Sequence, residues 1–428
     1  MALGRTEAEV ATAQARRLCH PRQAGSQHLW MLEFASVSKP ATTPRAAIGA
    51  PIPTLDLKRQ YAQIKDEVEE ALERVCSTQH FIGGEELQKF EQEAAAFLGA
   101  KRAIGCASGT DALWLALAAL GVQPGDVVFT TPFSFFASAS SILRAGARPV
   151  FVDVDPGTLN IDPKAVESAF DRYYAKAIMP VHLYGQCSDM DALEKTAREH
   201  KSAIVEDAAQ AFGASWRGRR AGTFGKAAAF SFYPTKNLSA YGDGGMVTTN
   251  DDAIADRVRV LANHGSRQRY YHDEIGWNSR LDSMQAAVLR VKMKYIESWN
   301  AHRQHNAKEY DRLFRAAGLV AKSDTGAPQP LRLLHTAEQA FHISHQYVVC
   351  VAQRDELRKF LTERKIGTEV YYPVPLHLQK CFAYLGYAAG DLPVAERAAE
   401  EVLALPMFPE LTPQEQQRVV DTIADFYS

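Results

Sequence analysis

Two residues in the stretch from Val205 to Asn250 are of types that could share a reaction. Asp207 closes one apolar, β-rich run, and Lys236 follows the next, in the loop Tyr233-Pro-Thr-Lys-Asn. In an open α/β sheet the ends of neighbouring strands form the ligand-binding edge, so a carboxylate and an amine placed there face one site. Such a pair suits pyridoxal phosphate: the amine joins the cofactor's aldehyde, and the carboxylate holds the ring nitrogen protonated so that the ring can accept electrons. Alone, Lys236 reads as a solvated surface lysine and Asp207 as a helix N-cap ahead of DAAQAFGA. The setting of Lys236 among Phe230, Phe232, Tyr233, Pro234 and Leu238 favours a neutral, nucleophilic amine.

The phosphate of such a cofactor needs backbone donors and hydroxyls at a helix start. Ser108-Gly109-Thr110-Asp111 supplies them where a short apolar run, 103–109, gives way to the helical stretch TDALWLALAAL. Ser231, five residues before Lys236, could add its hydroxyl, or could be a strand serine facing solvent. His182, at the end of the run 177–182, reads more simply as a satisfied buried histidine than as a catalytic one.

The elements that must carry these residues are legible from Ile52 onward. Leu87, Phe90, Ala94 and Phe97 recur at helical spacing after the turn at Gly83-Gly84. Short β-rich runs follow at 127–131, 149–154, 177–182, 203–206, 228–232 and 245–249, and several of the segments between them read as helices. One helix covers 190–200 behind an N-cap at Asp189. This alternation predicts an α/β fold with a mainly parallel sheet. Met284, Ala287, Val288, Val291 and Tyr295 predict a single long helix over 282–306, bridging to a smaller α+β unit.

The segments ASGTDALWLAL, PVHLYGQCSDMDAL, VEDAAQAFGA, FSFYPTKNLSAYGDGGMVTTND, NHGS, WNSRLDSMQAAVLRVK and YYPVPLHLQ occur in that order from about Pro53 to the C-terminus. Together they resemble the DegT/DnrJ/EryC1/StrS family of sugar aminotransferases. The resemblance implies a fold-type I, aspartate aminotransferase-like architecture. Its large domain has a mostly parallel seven-stranded sheet sandwiched by helices, and a smaller α+β C-terminal domain follows. The expected division is an extension over 1–51, a large domain over 52–295 and a small one over 296–428.

Carried over by position, the resemblance implies that Lys236 bears the cofactor and Asp207 pairs with the ring nitrogen. It implies that Gln210 meets the phenolic oxygen, that Gly109, Thr110 and Ser231 hold the phosphate, and that Phe135 and Ala209 cover the two ring faces. Asn278 reaches the phosphate of a neighbouring subunit, which implies a homodimer with shared sites. Arg280 is a candidate for the carboxylate of the amino donor, since a guanidinium fork binds carboxylate at two points; a surface ion pair is the plainer reading. Tyr372 and His377 are candidate sugar contacts.

The implied reaction moves an amino group from an amino acid, L-glutamate, to a nucleotide-linked keto sugar, with the 3-keto position favoured over the 4-keto. Amination of a keto-cyclitol, sugar 3-dehydration and a non-catalytic regulatory role are the alternatives. Two positions depart from the family pattern: Lys226 stands where many relatives have Asp, and Ser239 where many have Gly. Lys226 could alter the field behind the cofactor, and Ser239 could change the loop if its φ must be positive.

Composition agrees with a small-molecule enzyme. The 428 residues carry 48 Lys plus Arg against 50 Asp plus Glu, so net charge gives no argument for nucleic acid or an anionic membrane as partner. The six cysteines form no CxxC pair, which points to reduced thiols and a cytoplasmic setting, and no apolar run is long enough for a membrane helix. The first fifty residues, rich in Arg, Ala, Ser and Thr and without hydrophobic period, read as a disordered, targeting or misassigned leader.

Overall fold

A computed structural model describes residues 49–320 and 329–428, so the leader expectation lies almost wholly outside the described residues. Seven strands form the central sheet: β1 (Arg102–Cys106), β2 (Val127–Thr130), β3 (Arg148–Phe151), β4 (Ala177–Met179), β5 (Ala203–Asp207), β8 (Ala227–Ser231) and β9 (Gly245–Thr249). Their spatial order is β1-β9-β8-β5-β4-β2-β3. From β8 to β3 every pairing is parallel, whereas β9 runs antiparallel to both β8 and β1.

These strands are short apolar runs because helices cover both faces, leaving no solvent side on which polar residues could alternate. On one face Leu113, Leu115 and Ile142 pack with Ile254 and Val258 against Val128, Val205 and Val247. On the other, Ile64, Val68, Phe90 and Leu289 meet Phe129, Ile204, Phe230 and Met246.

The helix Leu57–Thr78, which the sequence patterning left unassigned, starts at Asp56, whose carboxylate accepts from the N–H groups of Lys58 (3.0 Å) and Arg59 (3.1 Å). The helix expected over 282–306 is two helices, Ser283–Met293 and Ile296–Ala316. Neither proline nor glycine marks the break at Lys294-Tyr295. Both side chains there bind Glu67 of the first helix, Lys294 at 2.7 Å, and Tyr295 stacks on Trp299, so tertiary contacts set the turn.

The C-terminal part holds a three-stranded antiparallel sheet ordered β10 (Leu331–Leu333), β12 (Tyr347–Val351), β13 (Val402–Leu405). Its core joins Val349, Leu403, Phe408 and Ile423 to Tyr310 and Phe314. Ile52 lies in this same core: its N–H donates to Lys365 O (2.9 Å), and Gly367 N–H donates to Ile52 O (2.8 Å). A third small sheet, β11 (Ala340–Phe341) beside β6 (Ser215–Trp216) and β7 (Arg219–Arg220), had no sequence signal. No helix among the described residues is long and apolar enough to cross a membrane.

Candidate active site

Asp207 is the last residue of β5 and lies in register with Ala229 of the adjacent β8, so its side chain emerges beside the loop that carries Lys236. Asp207 is 4% exposed. Ser138 donates its hydroxyl to Oδ2 (2.7 Å), and the Ala209 N–H donates to Oδ1 (3.2 Å). Burial raises the Asp207 pKa above the ordinary carboxylate value, opposed first by the Ser138 and Ala209 bonds and then by the charge of Lys236.

Lys236 follows β8 in a turn closed by its own N–H to Tyr233 O (2.8 Å). Desolvation lowers its amine to about 8, while the charge of Asp207 pulls the other way. The next residue anchors the loop. Asn237 Nδ2 donates to Asn300 Oδ1 (2.7 Å), and His345 Nδ1 lies 2.6 Å from Asn237 Oδ1. Burial holds His345 well below the usual histidine pKa, so the ring is neutral and Nδ1 carries the donated proton.

The start of a helix packs against β8 near the same sheet edge. Ser108 caps the helix Gly109–Ala119, its hydroxyl accepting from Asp111 N–H (3.1 Å). The N–H groups of Gly109 and Thr110 have no carbonyl within the helix to donate to. Gly109 sits so close to β8 that a Cβ would lie 2.5 Å from Ser231 Cβ, which brings the Ser231 hydroxyl beside the helix start. Gly245 is as constrained from behind: its Cβ would lie 2.3 Å from the Ser108 carbonyl and 2.7 Å from Gly109 N. Because every obstacle there is backbone, Gly245→Ala is expected to cost roughly 1–3 kcal/mol of unfolding free energy, the range for overpacking. It is also expected to weaken retention of a phosphorylated ligand. Urea denaturation and ligand retention on gel filtration both unchanged would refute this.

The remaining residues singled out in the sequence divide into those gathered here and those placed elsewhere. Gln210 accepts from Tyr184 N–H (2.6 Å) and donates from Nε2 to the Tyr372 hydroxyl (3.1 Å), which brings Tyr372 from the C-terminal part to the edge of β5. Phe135 is 58% exposed, with its ring centroid 6.3 Å from that of Tyr372, so it is not a core residue. Ala209 is half-buried beside Asp207.

Arg280 donates from Nη1 to Asn263 Oδ1 (2.9 Å), and its buried Nε has no partner among the described residues. Asn278 is exposed, in a segment whose Tyr270, Tyr271 and Ile275 are also exposed. His377 is placed differently from the expectation of a sugar contact: it is 1% exposed, and Nε2 lies 3.0 Å from Glu396 Oε1.

His182 is fully buried, as the simpler reading held. Ser188 N–H donates to its Nδ1 (3.2 Å), so Nε2 carries the proton and donates to Glu206 (3.0 Å). Glu206 also accepts from the N–H groups of Gly222, Phe224 and Gly225. Lys226 is exposed just before β8, at the far end of the strand from Lys236. It lines a polar cavity of about 830 Å³ at that opposite edge, with Arg198, Lys201 and Asp251. Ser239 does not have positive φ; it is buried and accepts from Lys292 Nζ (2.8 Å).

Ser138 and Asn237, which hold Asp207 and the lysine loop, were not picked out from the sequence. Asn237 sits inside a quoted motif and Ser138 three residues after Phe135, but a serine or asparagine there has no spacing that distinguishes it from a surface residue.

Known proteins resemble this chain in sequence and fold. The model of the DegT/DnrJ/EryC1/StrS aminotransferase family matches residues 62–424. A pleiotropic regulatory protein of Geobacillus stearothermophilus is 51% identical over 378 residues, 88% of this chain and 98% of its own. The dTDP-3-amino-3,4,6-trideoxy-alpha-D-glucose transaminase of Streptomyces venezuelae is 43% identical over 390 residues, 91% of this chain and 98% of its own. Among solved structures, S. venezuelae DesV in complex with a ketimine intermediate superposes with a TM-score of 0.84 at 43% identity, covering 89% of this chain and 99% of that one.

Proposed function

The chain belongs to the DegT/DnrJ/EryC1/StrS aminotransferase family, and from that premise we propose that it uses pyridoxal phosphate to move an amino group from L-glutamate to the 3-keto carbon of a nucleotide-linked sugar. The observation that carries the reading is the meeting of the buried Asp207 carboxylate and the Lys236 amine at adjacent strand ends, beside the helix start at Gly109. The 3-position is favoured because the Streptomyces venezuelae relative is named for a 3-amino sugar.

These residues fit the cofactor. Gly109, Thr110 and Ser231 would hold its phosphate, Asp207 its ring nitrogen, Phe135 and Ala209 its faces, and Gln210 its phenolic oxygen. When bound, the cofactor supplies a ring that accepts the electron pair left as a Cα–H bond breaks.

Lys236 Nζ, lowered to about 8, is close enough to neutrality to take the proton from the donor's Cα and, in the second half of the cycle, to return one to the sugar carbon. Asp207 balances the positive charge on the ring nitrogen. Arg280, fixed by Asn263 at one nitrogen, offers the rest of its fork to the donor carboxylate. Tyr372, whose hydroxyl pKa is raised by burial, stays protonated beside Asp207 and Gln210 and borders the space where the sugar enters. The exposed Asn278, Tyr270, Tyr271 and Ile275 suit a face shared with a second copy of the chain, with Asn278 reaching the partner's phosphate.

A regulatory role is the second reading, favoured by the name of the Geobacillus relative. One experiment separates them. The purified protein loaded with pyridoxal phosphate is expected to lose its long-wavelength absorbance on adding L-glutamate and to regain it on adding a 3-keto nucleotide sugar, but not a 4-keto one. Bound cofactor that no amino donor alters would overturn the enzymatic reading, and recovery with the 4-keto sugar alone would move the reacting carbon.

A further inference from the structure

The Asp207 carboxylate is held by more than the strand that bears it. Ser138, in the first turn of the helix Ala137–Arg144, donates to Asp207 Oδ2 at 2.7 Å, and Ser134 Oγ lies 2.7 Å from Ser138 Oγ. All three side chains are buried, Ser138 completely. A serine hydroxyl has one proton, and an ionised carboxylate can only accept. Ser138 therefore spends its proton on Asp207, and the bond behind it must run from Ser134 to Ser138. The direction of the chain is fixed: Ser134 to Ser138 to Asp207.

We propose that Ser138, backed by Ser134, is a positioning residue that orients the Asp207 carboxylate and keeps it ionised towards the cofactor's ring nitrogen. The inference rests on the reading of Asp207 given under the proposed function. Asp207 Oδ1 is held from the other side by the Ala209 N–H, so donors from two elements fix the plane of the carboxylate, with acceptor capacity left for the ring N–H. The Ser138 bond is the largest of the influences that oppose the effect of burial on this group, ahead of the Ala209 bond and of the charge of Lys236. Without it the buried carboxylate retains one neutral donor, and the protonated form, which cannot balance a positive ring, gains ground. Burial also lets the hydroxyl act on a charged acceptor with little competition from water.

The test uses full-length protein loaded with pyridoxal phosphate carrying nitrogen-15 in the ring, whose chemical shift reports ring protonation. In the wild type the ring nitrogen is expected to be protonated. In Ser138→Ala it is expected to shift towards the unprotonated value. The same variant should lose roughly 10- to 100-fold in kcat, as for a lost hydrogen bond to a charged group, with KM for both substrates within about 3-fold. Ser138→Thr, which keeps a hydroxyl, should recover both signals, and Ser134→Ala should move both in the same direction as Ser138→Ala but less.

A folded Ser138→Ala protein with an unshifted ring nitrogen and unchanged kcat overturns the inference and leaves the proposed function standing. If Ser138→Ala does not fold, Ser134→Ala decides, and a wild-type nitrogen shift and kcat there overturn the relay. A wild-type protein that takes up no pyridoxal phosphate overturns the proposed function, and this inference with it.

Discussion

Lys236→Ala is expected to abolish multiple-turnover transamination while leaving the fold intact. The amine is assigned both proton transfers, and general acid-base catalysis of one such step is worth roughly 10²–10⁴-fold. Losing it in both halves of the cycle should take turnover below detection in an ordinary assay. The structure adds a second expectation that separates chemistry from folding. Desolvation lowers the Lys236 pKa to about 8, so the folded state disfavours its charged form. In the cofactor-free protein the unfolded chain therefore holds this proton more tightly than the native one. Stability should rise with pH between about 8 and the ordinary lysine value of 10.5 and be insensitive to this group below that window. Lys236→Ala removes the dependence, and its apoprotein should melt no lower than wild type at neutral pH. Calorimetry of the two apoproteins checks the second expectation and steady-state kinetics the first; retained multiple turnover would sink the role given to Lys236.

Asp207→Asn should be nearly as damaging for a different reason. The amide has almost the same shape and can still accept from Ala209 N–H, but it carries no charge with which to balance a protonated ring. A loss of roughly 10³-fold in kcat is expected, or ~4 kcal/mol in the barrier at 1.36 kcal/mol per tenfold. KM for the nucleotide sugar should change little, because the interaction is needed where charge develops. Asp207 sits at a raised pKa for want of water, so replacing it with a neutral side chain should not lower the melting temperature of the apoprotein. A variant within about tenfold of wild-type kcat would show that Asp207 serves only to hold the strand end.

The sequence told more about what lies along the chain than about what meets across it. β9 was read at its observed limits, and the helix Met190–Glu199 begins behind Asp189 as expected, because an apolar run and an N-cap are local signals. β3 and β4 came out shorter than their apolar runs, since hydrophobicity continues where strand pairing stops. The turn at Lys294-Tyr295 was invisible because both residues are held by Glu67, far away in sequence. The pairing of β6, β7 and β11 involves two-residue strands that have no period to detect. The same limit applied at the site: Asp207 and Lys236 followed from strand ends, whereas Ser138 and His345 matter only through the partners they reach.

The pairing of Ile52 with the segment Lys365–Gly367 bears on how the polypeptide is made. This part of the chain leaves the ribosome early, yet its hydrogen-bonding partners are synthesised only after the whole central sheet. At ~5–20 residues per second the apolar Ile52 waits roughly tens of seconds before its niche exists. A fragment ending after β9 could complete the sheet but would leave this segment unsheltered. The central layer and the C-terminal core are thus sewn together by the order of synthesis as well as by packing.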